Sequence, residues 1–371
     1  MANQHQELSD EVLRRSVEAW WTAPGRSRVQ AAQALGIART TLDNHLERAK
    51  DKGLIKRKDG QLRPSFKTGA AIQPQRTFTT QELPDEDVPV DEIIARRSKE
   101  FARRNRAADA RKLIRVRISD PGPIGVAIFG DLHIDSPGCN LPLLLSHIDL
   151  VKKTPGLYAG CIGDLQDGWV GRLARLWATQ GITAKESLKL VRYFMEELAD
   201  KLLFIVEGNH DSWTVGVNGV SPVEWIAAHT GTLTGADGVR IAIDLGEESW
   251  TVNARHDFRG RSQYNPAHGG TKAALFGWRD DILVAGHTHE SGIQILKDPK
   301  SGLVSHVLRV ASYKHLDAFA KQEGFPDNNS FECPVMLLRP GMSDQRFRSQ
   351  VITDPFLAAQ CLTAMRKAGK R

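Results

Sequence analysis

Five times between residues 124 and 290 an apolar run of strand length stops at a short polar cluster, and every cluster holds Asp, Asn or His. "IGVAIFGDLHID" ends in Asp131 and His133, "YAGCIGDLQD" in Asp164 and Asp167, and "KLLFIVEGNHD" in Asn209, His210 and Asp211. "WTVNARHDF" places His256 at a run's end, and "DILVAGHTHE" delivers His287 and His289. Apolar runs of this length bounded by glycine, alternating with helical stretches, are the pattern of strands covered on both faces. Open α/β sheets build their sites in the loops beyond the carboxyl ends of strands. The pattern therefore predicts a sheet core that collects carboxylates and imidazoles along one rim. A single D-x-H is ordinarily a solvated turn; five such clusters in chain order are not a chance arrangement.

The ordered set D-x-H, GD-x-x-D, GNHD, H and GH-x-H resembles the motifs of the calcineurin-like metallophosphoesterase superfamily over residues 122–340. That resemblance implies an α/β four-layer sandwich, two mixed sheets flanked by helices, with a two-metal site at the sheet rim. By position, it implies that Asp131, His133 and His289 hold one metal, that Asn209, His256 and His287 hold the other, and that Asp164 bridges them. His210 would face the scissile phosphate, charged and without ligating, its ring oriented by Asp167 or Asp211. A carboxylate with imidazole and amide donors suits Mn²⁺, Fe²⁺ or Zn²⁺, with Mn²⁺ expected here. His268, in "YNPAHGG", also precedes a glycine and competes with His256; the end of a β-patterned run favours His256. Gly168 after Asp167, and GNHD in place of GNHE, depart from the Ser/Thr protein phosphatases and leave nucleases and phosphodiesterases.

The N-terminal third has a different character. Residues 1–120 carry 24 Lys and Arg against 17 Asp and Glu, which leaves 26 against 27 for residues 121–371. Such asymmetry points to a polyanionic partner for the first third. Within it, "SDEVLRRSVEAWW" reads as a helix capped at Ser9 or Asp10, with Val12, Leu13, Val17 and Trp20 at helical spacing. In "RVQAAQALGIARTTLDNHLERAK", Val29, Ala32 and Leu35 share a face, Gly36 supplies the break, Ile37 plugs the turn, and a second helix opens at Arg39 and buries Leu42 and Leu46. The pair resembles a Fis-type helix-turn-helix in a small all-α domain. In that arrangement Arg39, Thr40, Thr41, Asn44, His45 and Arg48 meet DNA; the alternative is a structural three-helix unit.

The predicted boundaries are residues 1–60 for this domain, 61–90 for a flexible linker, 91–120 for a basic helix and lead-in strand, 121–345 for the phosphoesterase domain and 346–371 for a C-terminal helical tail. The basic stretch has ten Lys and Arg from Ile93 to Arg117 against Glu100 and Asp109. Trp169, Arg172, Arg175 and Trp177 follow the second motif as a stripe able to stack bases and pair phosphates, or to pack as core. No apolar run approaches membrane length and the polar start resembles no signal peptide, so a cytoplasmic protein is expected. Cys139, Cys161, Cys333 and Cys361 form no C-x-x-C pair. Together these features predict a metal-dependent phosphodiesterase acting on DNA. The alternatives are an enzyme for small phosphoesters or cyclic nucleotides with a regulatory N-terminal domain, and a DNA-binding regulator that uses the fold as a scaffold.

Overall fold

The computed structural model describes residues 8–58, 60–66, 68, 87–236, 238–315, 324 and 332–368. The chain divides into two compact units, Met1–Pro89 and Val90–Arg371. Most of the expected linker, residues 69–86, lies outside the described residues.

The first unit begins with helix α1 (Asp10–Thr22), whose N-cap Ser9 accepts from the Val12 amide. Helices α2 (Arg28–Leu35) and α3 (Arg39–Asp51) follow. Gly36 turns the chain between them in the left-handed region, at φ 66°, which only glycine adopts without strain. Leu13, Val17, Trp20, Ala31, Ala32, Leu42, Leu46 and Ala49 form the core, with Ile37 packed against it. Val12 and Val29, expected inside, are exposed, because Leu13 and Ala31 on the neighbouring positions take the buried face. The unit is not all-α. Strands β1 (Ile55–Lys58) and β2 (Gln61–Pro64) pair as an antiparallel hairpin, which carries the unit past the expected boundary at residue 60. Lys56, Arg57 and Lys58 on β1 are exposed.

The second unit opens with α4 (Val90–Ala110), a helix without a single buried residue. Strand β3 (Ile114–Arg117) comes next, then β4 (Ile124–Phe129), α5 (Leu141–Lys153), β5 (Leu157–Cys161), the short α6 (Trp177–Gln180), α7 (Ala184–Glu197) and β6 (Leu202–Val206). After them come α8 (Asn209–Asn218), α9 (Pro222–Thr230), β7 (Leu233–Gly235), β8 (Val239–Leu245), β9 (Glu248–Ala254), α10 (His268–Phe276) and β10 (Ile282–Ala285). Strands β11 (Gly292–Lys297), β12 (Val304–Arg309), β13 (Val335–Leu338) and β14 (Ser349–Ile352) precede a last helix, Pro355–Ala368.

Among the described residues these strands form two mixed six-stranded sheets, ordered β14-β13-β4-β5-β6-β7 and β11-β12-β10-β9-β8-β3. Strands β4 to β7 run parallel, as do β9, β10 and β12. Alternation along β4 shows how the layers stack. Ala127 and Phe129 pack on α5, α7, α9 and the last helix, while Ile124, Val126 and Ile128 meet Ile241, Ile243, Val252 and Val284 of the second sheet. Ala274 of α10 covers the far side of that sheet with Leu283, Ala285 and Val307. Helix, sheet, sheet and helix make four layers, as the resemblance of the motifs implies. The segment expected as a helical tail from residue 346 is instead integral: β14 completes a sheet and Ala358 and Leu362 of the last helix are fully buried. No described helix is long and apolar enough to cross a membrane.

Candidate metal centre

The five polar clusters lie just beyond the carboxyl ends of β4, β5, β6, β9 and β10. Parallel neighbours in each sheet bring these ends together, so that residues 156 positions apart, such as His133 and His289, come into contact. Nε2 of His133 lies 3.2 Å from Nε2 of His289, which is 3.6 Å from Oδ2 of Asp131. Nε2 of His256 lies 3.2 Å from Nδ1 of His287 and 3.0 Å from Oδ1 of Asn209. Asp164 stands between these two nests: its Oδ2 is 3.2 Å from Nε2 of His256 and 3.9 Å from Nε2 of His133.

Two buried His and Asp groups could each hold a metal ion: Asp164 with His256 and His287, and His133 with Asp167 and His210. The donor set fits divalent cations on a second ground. Oδ1 of Asp131 is fully buried and has no hydrogen-bond partner, a costly state for a carboxylate oxygen unless a cation meets it. Backbone strain also converges here. Among the described residues five non-glycines have positive φ, and four are His133 (41°), Asp164 (47°), His287 (74°) and His289 (57°). Left-handed backbone at such residues costs of order 1–3 kcal/mol each and persists where the surroundings over-determine it.

No protein-family model matches the chain, and no curated protein matches it.

Burial works against charge on every group in the centre, and pairing decides which stay ionised. Burial would lower the pKa of His256, but the Asp164 and Asp131 carboxylates beside it raise it to about 10. In turn Asp164, despite its own burial, is held below the usual carboxylate range by His256. Burial raises Asp131 and, with the Asp164 charge, Asp211. Nδ1 of His133 is 2.7 Å from Oδ1 of Asp167 but outside hydrogen-bond geometry; the electrostatic contact still outweighs burial and raises the His133 pKa.

The expected roles of His210, Asp167 and Asp211 need correction. Burial, with His133 alongside, pushes His210 down to about 4, so this ring is neutral near pH 7 rather than charged. Its Nδ1 meets the main-chain oxygen of Asp167 at 2.7 Å, not a carboxylate. The Asp167 carboxylate serves His133, accepts from Nε2 of Gln180 at 2.8 Å and meets Nζ of Lys314 at 3.2 Å. Asp211 accepts from the amides of Leu165 and Gly208 and so ties two strand ends together beneath the site. His256 is in a metal-capable group, while His268 is the first residue of α10 and belongs to neither.

Of the residues assigned to a DNA-facing surface, Arg39, Thr40, Asn44 and Arg48 are exposed and Thr41 is half-buried. His45 is not on that surface. It is buried, with Nδ1 2.8 Å from the Ser16 hydroxyl, because it lies three residues after Leu42 and four before Ala49 on the core side of α3. That spacing alone identifies its face. The sequence also left unmarked Asp135, Gln180, Lys314 and Trp213. Asp135 accepts from the Asp167 amide at 2.7 Å and the Ser187 hydroxyl at 2.9 Å. Of these, only Asp135 and Trp213 had a signal, each lying two residues beyond a motif.

Two glycines are required by close approach. A methyl at Gly208 would run into the Asp164 carboxylate, and one at Gly286 into Asp131 and Ile162. Gly208→Ala is therefore expected to destabilise the chain by about 1–3 kcal/mol through overpacking and to displace Asp164. Calorimetry should show a lower melting temperature, and elemental analysis a reduced capacity for divalent metal.

Proposed function

We propose that the chain is a binuclear metal-dependent phosphodiesterase acting on DNA, with Met1–Pro89 as a DNA anchor. The observation that carries this reading is the Asp164 carboxylate between two imidazole nests, 3.2 Å from His256 and 3.9 Å from His133. Asp131, His133 and His289 on one side, and Asn209, His256 and His287 on the other, would hold Mn²⁺, Fe²⁺ or Zn²⁺, with Asp164 shared. When bound, two such ions supply Lewis acidity toward a phosphodiester and lower the pKa of water.

The chain's own residues do the rest. Asp167 holds the His133 ring, and Lys314 and Gln180 hold Asp167. His210 is anchored by Nδ1 to the Asp167 carbonyl, which leaves Nε2 for a phosphate oxygen. An anionic phosphodiester beside the ring favours its charged form and so its use as a proton donor to the leaving oxygen. Support for DNA comes from the exposed Arg39, Thr40, Asn44 and Arg48 on α3, the exposed Lys56, Arg57 and Lys58 on the hairpin, and the basic α4, none of whose residues is buried. The order of the motifs, similar to that of calcineurin-like metallophosphoesterases, supports the same chemistry.

Metal-free protein supplied in turn with Mn²⁺, Mg²⁺ and Zn²⁺ should hydrolyse linear or circular DNA as well as bis-p-nitrophenyl phosphate. Hydrolysis of the small diester alone would favour a small-phosphoester enzyme. A chain beginning at Val90, which keeps β3 in its sheet, should retain diester hydrolysis and lose much of its duplex affinity. Its salt dependence should flatten by roughly 0.9 in log–log slope for each phosphate contact removed. Equal affinity and slope for both chains would sink the anchor.

A further inference from the structure

Two tryptophans bracket His210. The Trp213 ring lies 4.1 Å from the His210 ring, tilted by 37°, and Trp169 lies 5.4 Å from it and 6.1 Å from Trp213. Trp169 closes the cluster after β5, and Trp213 lies in the first turns of α8. Both rings remain half-buried, although Asp131, His133, Asp164 and Asp167 beside them are at most 2% exposed. Trp169 is also held in place. Its Nε1 donates to Oε1 of Gln180 at 2.9 Å, and Gln180 in turn donates to Asp167 and to the Asp135 carbonyl. Trp177, by contrast, spends its indole N–H on the Trp169 carbonyl and acts as a support.

Cationic groups accompany this aromatic surface. Nζ of Lys314 is 5.6 Å from the centre of the Trp169 ring, and Arg172 and Arg175 are exposed on the 3₁₀ turn Gly171–Leu176. Half-buried indoles beside His210, with exposed arginines on the turn that follows Trp169, offer a flat apolar face for a base and cations for its phosphates. We propose that Trp169 and Trp213 are a stacking platform for an unpaired nucleobase adjoining the scissile phosphate, so that the site takes single-stranded or frayed DNA. A base inside a duplex has both faces covered by its neighbours and reaches such a platform only after unstacking. The platform tolerates any base, because each has a π face. This inference rests on the phosphodiesterase reading of the same centre.

The test compares a short single-stranded oligonucleotide with one carrying a tetrahydrofuran abasic residue beside the scissile bond. Cleavage is measured with Mn²⁺, and binding by fluorescence anisotropy in chelator, for the full chain, Trp213→Leu and Trp213→Phe. The full chain is expected to prefer the base-bearing strand by about 5- to 150-fold in both readouts. Trp213→Leu should lower the base-bearing strand by a far larger factor than the abasic strand, so that the preference is lost, while Trp213→Phe keeps most of the preference. Wild-type metal content in both variants verifies that they fold. Equal losses on both strands in Trp213→Leu would make Trp213 a positioning residue for His210 and overturn the platform. Indifference of the full chain to the missing base would overturn it too, with the nuclease reading intact. Hydrolysis of a small diester but of neither oligonucleotide would remove the nuclease reading and the platform together.

Discussion

Asp164→Asn is expected to leave the chain folded with fewer than two metal ions and to cut phosphodiester hydrolysis by on the order of 10³-fold or more. The side chain is 2% exposed, and its Oδ1 accepts from the His210 amide at 2.9 Å, a bond that an asparagine oxygen can keep. What the substitution removes is the negative charge that His256 and His133 both face. Elemental analysis of purified protein reads the metal loss directly. A proton balance gives an independent check. In metal-free protein the His256 pKa is raised to about 10, so the ring is charged at neutral pH and must lose its proton to ligate. Metal binding should therefore release protons and weaken as the pH falls. Calorimetry in buffers of different ionisation enthalpy should find that release reduced in Asp164→Asn, because the carboxylate that holds His256 charged is gone. Full metal occupancy and full turnover in this variant would remove Asp164 from the centre of the site.

How much of this was legible in advance follows from burial. Strands β4, β5, β6 and β10 are largely covered on both faces and so read as apolar runs, and β9 as an alternating one, against which Asp131, Asp164, Asn209, His256 and His287 stand out at the ends. The left-handed backbone at four of the site residues is a local conflict of the kind expected at a functional site, and no propensity announces it. Strands β1, β2 and β14 leave no readable period in the sequence because each has only four residues, at most one of them buried. His45 is polar by type but buried by position, since its spacing from Leu42 and Ala49 puts it on the core face of α3. Gln180 and Lys314 escaped for a different reason. They reach Asp167 from segments 13 and 147 residues away, and only the tertiary fold makes them neighbours.

His210→Ala separates chemistry from metal binding, because His210 stands where either role is open. With His133 and Asp167 it forms a group able to hold an ion, yet its Nδ1 is already engaged by the Asp167 carbonyl at 2.7 Å. If its work is proton transfer to the leaving oxygen, the variant should keep two metals and wild-type DNA affinity while turnover falls by about 10²- to 10⁴-fold. The pH profile carries the same distinction. Burial sets the free ring to about 4, and an anionic substrate moves that value upward. A proton donor is active only below its pKa, so the wild-type rate should fall as pH rises through the shifted value. His210→Ala should lack that descending limb and retain whatever limb the metals impose. A variant that loses metal in proportion to its activity would instead make His210 a ligand, and Asp167 with it.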